Sequence, residues 1–348
     1  MKNLFIYLSI ATLLFSCSED ESSNAEIIDL LVTDVANTDL TVKDVLIETE
    51  LNKVYIFIDN DLSEYNTIQF TTDIKLSAGA KAPSIQNNEI LFSNANEVKT
   101  IEVIAEDGTI QDWYIYLIHH QIQNNHFENW FDNQGMNGVY YSEIGSSAVK
   151  TLWATANMGT SIYGIYGTQP IMNGSNTLVE IKTNKTSQVP VATGTLFTGI
   201  FNLAEAIANP TDPKKATVFG VPFIFRPTAM KFKYKYQAGD IYVQAALNKP
   251  DDIFGGFTVS DIDGEDKCSI YAILEIRNNN EVIELARAEI YSETTSDILT
   301  EIILPFEYIS SENPTHITTV FSSSKDGDLW KGAVGSTLTI DSLEFIYE

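Results

Sequence analysis

Thr100-Ile101-Glu102-Val103-Ile104-Ala105, Glu106-Asp107-Gly108-Thr109 and Trp113-Tyr114-Ile115-Tyr116-Leu117-Ile118 together decide the fold class. The outer two runs are rich in β-branched and aromatic residues, the composition of strands. Between them Asp-Gly supplies a positive-φ turn position at little steric cost, so the three pieces form a hairpin. Upstream, Val54-Tyr55-Ile56-Phe57-Ile58 is a further strand of the same kind. Short strands separated by turn signals over residues 26–120 predict a small β-sandwich.

Downstream, His119-His120-Gln121-Ile122-Gln123-Asn124-Asn125 is polar, has no clear period and reads as a connection, with 121–126 as the linker. The paired histidines do not make a metal site, because adjacent side chains on a strand point to opposite faces. From residue 127 to 348, Gly, Asn, Thr and aromatic residues dominate. Strands are predicted at Leu178–Thr183, Lys231–Tyr236, Ile241–Ala246, Cys268–Arg277, Leu285–Tyr291, Ile298–Pro305, His316–Ser323 and Leu338–Tyr347. One helical piece fits Leu203–Ala208, stopped by Asn209-Pro210. Without βαβ alternation this is a larger sandwich of jelly-roll type, and the chain as a whole is all-β.

The N-terminus has its own pattern. Lys2 precedes an apolar run, Leu4–Phe15, too short to span a bilayer, and a small residue stands before Cys17. Leu13-Leu14-Phe15-Ser16-Cys17 resembles the bacterial lipoprotein signal, with residues 1–16 removed and Cys17 acylated. Ser18-Glu19-Asp20-Glu21-Ser22-Ser23-Asn24 follows, polar and acidic, so 17–25 is expected to be a solvated tether. It resembles the export signal of surface lipoproteins of the Bacteroidetes type. That resemblance implies an outer-membrane protein displayed on the cell surface, with the periplasmic face as the alternative. Several acyl chains at Cys17 would hold it durably, where one alone binds only marginally.

The chain has 348 residues and a net charge of −26, which repels nucleic acid and anionic lipid headgroups and favours neutral or cationic partners. Membrane contact is therefore expected through the lipid anchor only. After Cys17 the only cysteine is Cys268, which rules out an intrachain disulfide and fits a buried small hydrophobe.

Two further resemblances cover most of the chain. Ile74-Lys75-Leu76-Ser77-Ala78-Gly79-Ala80, then Val103–Thr109 and Trp113-Tyr114-Ile115-Tyr116, are similar to the immunoglobulin-like domains that open many Bacteroidetes surface lipoproteins. The resemblance implies a spacer. Phe127-Glu128-Asn129-Trp130, Trp153–Asn157, Ala192–Gly199, Phe219–Phe223, Arg226-Pro227-Thr228, Lys233–Tyr236, Pro314–Ile317, Ser322–Asp328, Gly332–Leu338 and Asp341 follow in order. In that order they resemble the putative carbohydrate metabolism domain family. What this implies is a jelly-roll module similar to carbohydrate-binding modules, with a glycan or polysaccharide as partner and outer-membrane sugar-uptake proteins as neighbours.

Sugar sites combine exposed aromatic plates with convergent amides and carboxylates. The candidates are Trp130, Trp153, Asn157, Tyr163, Tyr166, Arg226, Asp326, Asp328 and Trp330. Core packing is the competing role for Trp130 and Trp153, and carboxylate pairing for Arg226. Tyr163 and Tyr166 lie in a Gly-rich stretch that would leave a ring facing solvent, and Trp330 lies beside a polar loop. No cofactor is expected. A structural Ca²⁺ is left open at Asp326-Gly327-Asp328 or at Asp261–Asp266, although the latter lacks the EF-hand order. No motif singles out catalytic residues: G-x-S-x-G, H-E-x-x-H, the P-loop and the dinucleotide fingerprint are all missing. Three readings remain: glycan binding, glycoside hydrolysis by an unmarked pair among the 47 acidic residues, and a structural or adhesive surface role.

Overall fold

The computed structural model describes residues 21–347 apart from 38, 63–64, 279–280 and 296. Cys17 and the leader therefore lie outside the described residues. The first sandwich consists of β1 (Ile27–Val35), β2 (Val42–Glu48), β3 (Lys53–Ile58), β4 (Ile68–Leu76), β5 (Glu89–Phe92), β6 (Lys99–Ile104) and β7 (Ile110–Ile118). Its two sheets run β1-β4-β5 and β2-β3-β7-β6. The Asp-Gly hairpin forms as expected: β6 and β7 pair antiparallel, and Gly108 sits at φ 87°.

The chain continues through β8 (Trp130–Gln134), β9 (Tyr140–Ile144), β10 (Trp153–Thr155), β11 (Thr168–Asn173), β12 (Asn176–Lys182) and β13 (Thr195–Phe201). Next come β14 (Thr217–Phe219), β15 (Val221–Pro222), β16 (Ala229–Gln237), β17 (Tyr242–Leu247) and β18 (Phe257–Asp261). It closes with β19 (Cys268–Asn278), β20 (Glu281–Ser292), β21 (Thr300–Pro305), β22 (Glu307–Tyr308), β23 (His316–Ser322), β24 (Lys331–Ala333) and β25 (Thr337–Ile346). One large sheet runs β10-β13-β23-β19-β20-β22 and faces a second, β11-β12-β25-β16-β21. Their inward side chains, among them Ile270, Leu274, Phe321, Phe232 and Ile340, form the core. All eight strands predicted here appear, and Leu203–Ala208 is a helix capped by the Asn202 side chain on the Glu205 N–H. The fold is an all-β pair of sandwiches, the second of them the larger.

The connection between the sandwiches is packed. β3 and β7 bury both faces: Val54, Ile56, Trp113 and Ile115 fill the first core, while Tyr55, Phe57, Tyr116 and Ile118 join the second. The runs are apolar throughout, not alternating, because the second sandwich covers the outer face of that sheet. Residues 121–126 are held from both sides. The Gln121 side chain donates to the Phe345 carbonyl (2.8 Å) and accepts from the Phe345 N–H (2.7 Å). Gln123 donates to the carbonyls of Ala95 and Leu117, and its own carbonyl accepts the Trp153 indole N–H at 2.9 Å.

Expectation and structure also differ at the tether. Among its described residues, 21–25, Ser22, Asn24 and Ala25 are bound to the first sandwich. The Ser22 carbonyl accepts from the Asp107 N–H, Ser77 donates to the Asn24 carbonyl, and Ala25 accepts from the Trp113 indole. The chain therefore enters at the β6–β7 turn, and β7 leads from that turn to the linker. Its nine residues separate the two ends by about 26 Å.

Candidate functional site

Around one end of the second sandwich the sequence builds a short hairpin and a tight turn that lean on each other. β8 and β9 pair antiparallel, and Gly138, at φ 80°, turns the chain between them. Asn137 supports that turn by accepting from the Val139 N–H at 3.0 Å. The hairpin docks on Ser161, whose hydroxyl accepts the Met136 N–H at 2.8 Å. Gly135 permits the approach, since a Cβ there would lie 2.7 Å from that of Ser161. Thr160 donates to the Ile165 carbonyl (2.6 Å) and fixes the loop that carries Tyr163 and Tyr166.

Tyr166 stacks on Tyr141, with centroids 4.7 Å apart and planes within 14°. Its hydroxyl lies beside the Asn137 side-chain amide, 3.4 Å from Nδ2. Tyr141 is buried behind it and accepts from Asn133 at 3.3 Å. The result is a half-buried ring, backed by a second ring and fixed at its tip by an amide. Tyr163, 37% exposed, stands in the same loop.

The residues flanking Tyr166, Ile165 and Gly167, line a narrow crevice together with Asn157, Thr160, Asn184 and Thr193. Gly167 and Gly194 cross backbone to backbone there, and a Cβ on Gly167 would fall 2.9 Å from the Gly194 Cα. The Thr193 hydroxyl is buried without a hydrogen-bond partner among the described residues. It abuts Gly327, so the Asp326-Gly327-Asp328 loop packs against Thr193.

Below the tyrosines lies Glu143, on the same side of β9 as Tyr141 and only 9% exposed. It accepts from the Thr155 hydroxyl at 2.7 Å. Burial pushes its carboxyl up to about 7, against the opposing pull of hydrogen bonds from Thr155, Tyr141 and the Ile144 N–H.

The structure sorts the predicted residues. Asp326 and Asp328 flank Gly327, which packs on Thr193, while Tyr163 and Tyr166 share the loop whose Ile165 and Gly167 line the crevice. Asn157 lines it, but its amide is committed: it donates to the Thr168 carbonyl (2.7 Å) and accepts from the Thr168 N–H (3.0 Å). Trp153 is a correction. Its ring lies in the core against Phe127 and Phe321, closed to any ligand. Trp130 is half-buried on the same core, with its indole bound to the Phe127 carbonyl at 2.7 Å. Arg226 is another correction, because it pairs with no carboxylate in the described structure. Its guanidinium donates to the backbone carbonyls of Glu312 and Ser310 and lies 4.3 Å from the Tyr308 ring centre. Trp330 packs edge-on against Phe257 in the small sheet β18-β17-β24.

The carboxylates considered for Ca²⁺ have other partners. Asp326 is paired with Lys325 (2.6 Å) and Lys331 (3.6 Å), and Asp328 with Lys214 (2.5 Å). Asp266 turns inward and accepts from Ser324, Ser336 and the N–H groups of Ala333 and Lys267, which ties its own loop to two others.

Sequence reasoning missed Asn133, Asn137, Tyr141, Glu143 and Thr193. The Asn137-Gly138 turn between two polar-aromatic runs was the available signal, since Asn-Gly marks a hairpin. Had β9 been placed, the alternation of Tyr141 and Glu143 would have put the carboxyl on the covered face.

One set of charged groups of this sandwich lies on the outer face of the large sheet. Arg277 donates twice to Glu275 (2.8 and 2.6 Å), and also to the Phe219 carbonyl and the Thr318 hydroxyl. Arg287 spans Glu284 and Glu289. Lys325 lies over Tyr291. His316, half-buried nearby, is pushed down to about 4 by burial and by Arg277.

Comparison with known proteins gives these features a family. A crystal structure described as a putative glycoside hydrolase from Bacteroides thetaiotaomicron superposes with a TM-score of 0.54 at 24% identity. It covers 95% of this chain and 98% of its own, so the likeness of fold extends through both sandwiches. A second, described as a putative glycoside hydrolase from Bacteroides vulgatus, gives 0.50 at 24% identity over 64% of this chain and 97% of its own. No curated protein matches the chain in sequence. The family model for the putative carbohydrate metabolism domain matches residues 126–346, the whole of the second sandwich. On that match the chain belongs to the putative carbohydrate metabolism domain family.

Proposed function

We propose that this protein is a lipid-anchored surface lipoprotein that binds glycan at the Tyr163–Tyr166 end of its second sandwich. The observation that carries the reading is the Tyr166 ring, half-exposed, backed by Tyr141 and flanked by the Asn137 amide. Sugar rings offer flat C–H faces to such a plate and hydroxyls to such an amide. Membership of a carbohydrate family supports the ligand class. The lipoprotein-like leader supports acylation at Cys17. The first sandwich suits a spacer, because β7 runs from the tether side to the linker side. Uptake proteins of the outer membrane are the partners this role calls for. Isothermal titration of the full-length protein against a polysaccharide panel tests the reading. Saturable binding that is weakened about tenfold in Tyr166→Ala is expected, and no binding to any glycan would end it.

One observation favours hydrolysis as a second reading. Glu143 is a carboxyl held near 7, the range of a glycosidase general acid. Its hydrogen-bond partners are Thr155, Tyr141 and a backbone N–H, none of them a second carboxylate. Release of reducing sugar by the wild type, abolished in Glu143→Gln, would establish it.

A further inference from the structure

In a chain of net charge −26, residues 133–142 and residues 151–179 are among the stretches that carry no Asp, Glu, Lys, Arg or His. The fold brings them together through Met136 on Ser161, Asn137 on Tyr166 and Tyr141 on Tyr166. Glu143 is the one ionisable acid between them, and it lies below the surface. The surface left outside is made of aromatic rings, amides, hydroxyls and apolar side chains. Val139 and Ile162 are exposed in it alongside Tyr163. The crevice beside it is likewise lined by uncharged residues and is no wider than a water molecule.

Each feature restricts the ligand. An uncharged surface offers no ion pair, so it gives a uronate, a sulfate or an ammonium nothing to bind. The chain's overall negative field repels polyanions and holds polycations only by long-range, salt-screened attraction. The narrow crevice cannot enclose a sugar ring. Contact must therefore come from several residues of a polymer lying along the surface, each adding a small term. A dimer contact would suit a patch of Leu, Ile and Phe better than one of tyrosine hydroxyls and asparagine amides.

We propose that this uncharged end is a docking surface for an internal stretch of a neutral polysaccharide, and that it passes over charged polymers and short sugars. The proposal rests on the glycan-binding reading and narrows it. Tyr166 and Tyr163 supply the plates, and Asn137 the orienting amide.

Affinity electrophoresis of the full-length protein provides the test, with gels containing a neutral galactan, a neutral mixed-linkage glucan, polygalacturonate or chitosan. Each gel is run at 20 mM and 500 mM NaCl, with galactose and cellobiose as soluble competitors. At least one neutral polymer is expected to retard the protein equally at both salt concentrations, within twofold. The competitors should not release it, and Tyr163→Ala/Tyr166→Ala should lose at least tenfold. The milder Tyr163→Ala, at an exposed position, should lose threefold and guards against misfolding of the double variant. Retardation only by polygalacturonate or chitosan, falling at high salt, would overturn the inference and leave glycan binding standing. Release by millimolar galactose would overturn it too, by showing an enclosed monosaccharide site. Retardation by no polymer would overturn the glycan reading itself. Self-association abolished by Tyr163→Ala would assign the surface to a second copy instead.

Discussion

The outer face of the large sheet and the tyrosine-bearing end of the same sandwich solve opposite problems. On the sheet, long charged side chains cancel one another: Glu275 with Arg277, Glu284 and Glu289 with Arg287, Lys325 over Tyr291. Every guanidinium there already has protein acceptors, so little hydrogen-bonding capacity is left for a ligand. At the uncharged end the reverse holds. The Thr193 hydroxyl has no hydrogen-bond partner among the described residues, and tyrosine rings are left facing outward. The difference teaches that abundance of polar groups does not mark a binding surface. What marks it is polar and aromatic capacity the protein has not already used.

That contrast can be broken most forcefully on the charged face. Arg277→Ala leaves Glu275, 8% exposed, buried without its cation. It should cost about 3 kcal/mol of stability in denaturant unfolding, with glycan affinity unchanged. A parallel loss of affinity would show that the two regions are not independent.

The next effect separates the regions by pH. The Glu143 carboxyl lies near 7 when folded against an ordinary value of 4.5, so the folded state holds its proton more tightly. Its contribution to stability is complete below about pH 4.5 and is lost as pH rises through 7, by roughly 3 kcal/mol. His316 works the other way. Depressed from 6.5 to about 4, it costs stability as pH falls through that window, because the unfolded chain takes up the proton first. The two windows overlap with opposite signs, so in thermal unfolding from pH 4 to 8 Glu143→Gln should gain stability with pH more steeply than the wild type between about pH 4.5 and 6.5. A Gln variant with the wild-type slope would contradict the burial of that acid.

Smaller effects sharpen the comparison. Tyr166→Ala should weaken polysaccharide binding about tenfold, near 1.4 kcal/mol. Tyr291→Ala, equally aromatic and 46% exposed but set on the charged face beneath the Lys325 ammonium, should change it less than twofold in the same titration. Least of all, Lys325→Ala should shift stability by under about 0.5 kcal/mol, since an exposed cation over a ring contributes little.

Much of the fold was legible in the sequence. The Asp107-Gly108 hairpin, the long strands β16, β19, β20 and β25 and the helix after Asn202 all carry strong local signals. The short strands β10, β14, β15 and β22 do not, because two or three residues hold no period. Burial of Tyr55 and Tyr116 on the second face of their sheet depends on a neighbour that local pattern does not contain. The same limit governed the candidate site. Trp153 and Tyr166 are both aromatic residues among small polar ones; the Gly-rich stretch points to an outward ring at Tyr166, but core and binding roles both stay open for Trp153. That choice is made by tertiary partners: the Gln123 carbonyl takes the Trp153 indole, and Tyr141 takes one face of Tyr166. Arg226 was expected to need a carboxylate, but backbone carbonyls at a strand end satisfied it instead.

The central claim is that glycan is held on the uncharged end by the tyrosine plates. The most direct measurement is isothermal titration of the neutral polysaccharide that best retards the full-length protein, into wild type, Tyr163→Ala/Tyr166→Ala and Tyr291→Ala. The account predicts saturable binding to wild type and Tyr291→Ala with equal affinity, and at least tenfold weaker binding to the double variant. Equal binding to all three proteins would contradict it.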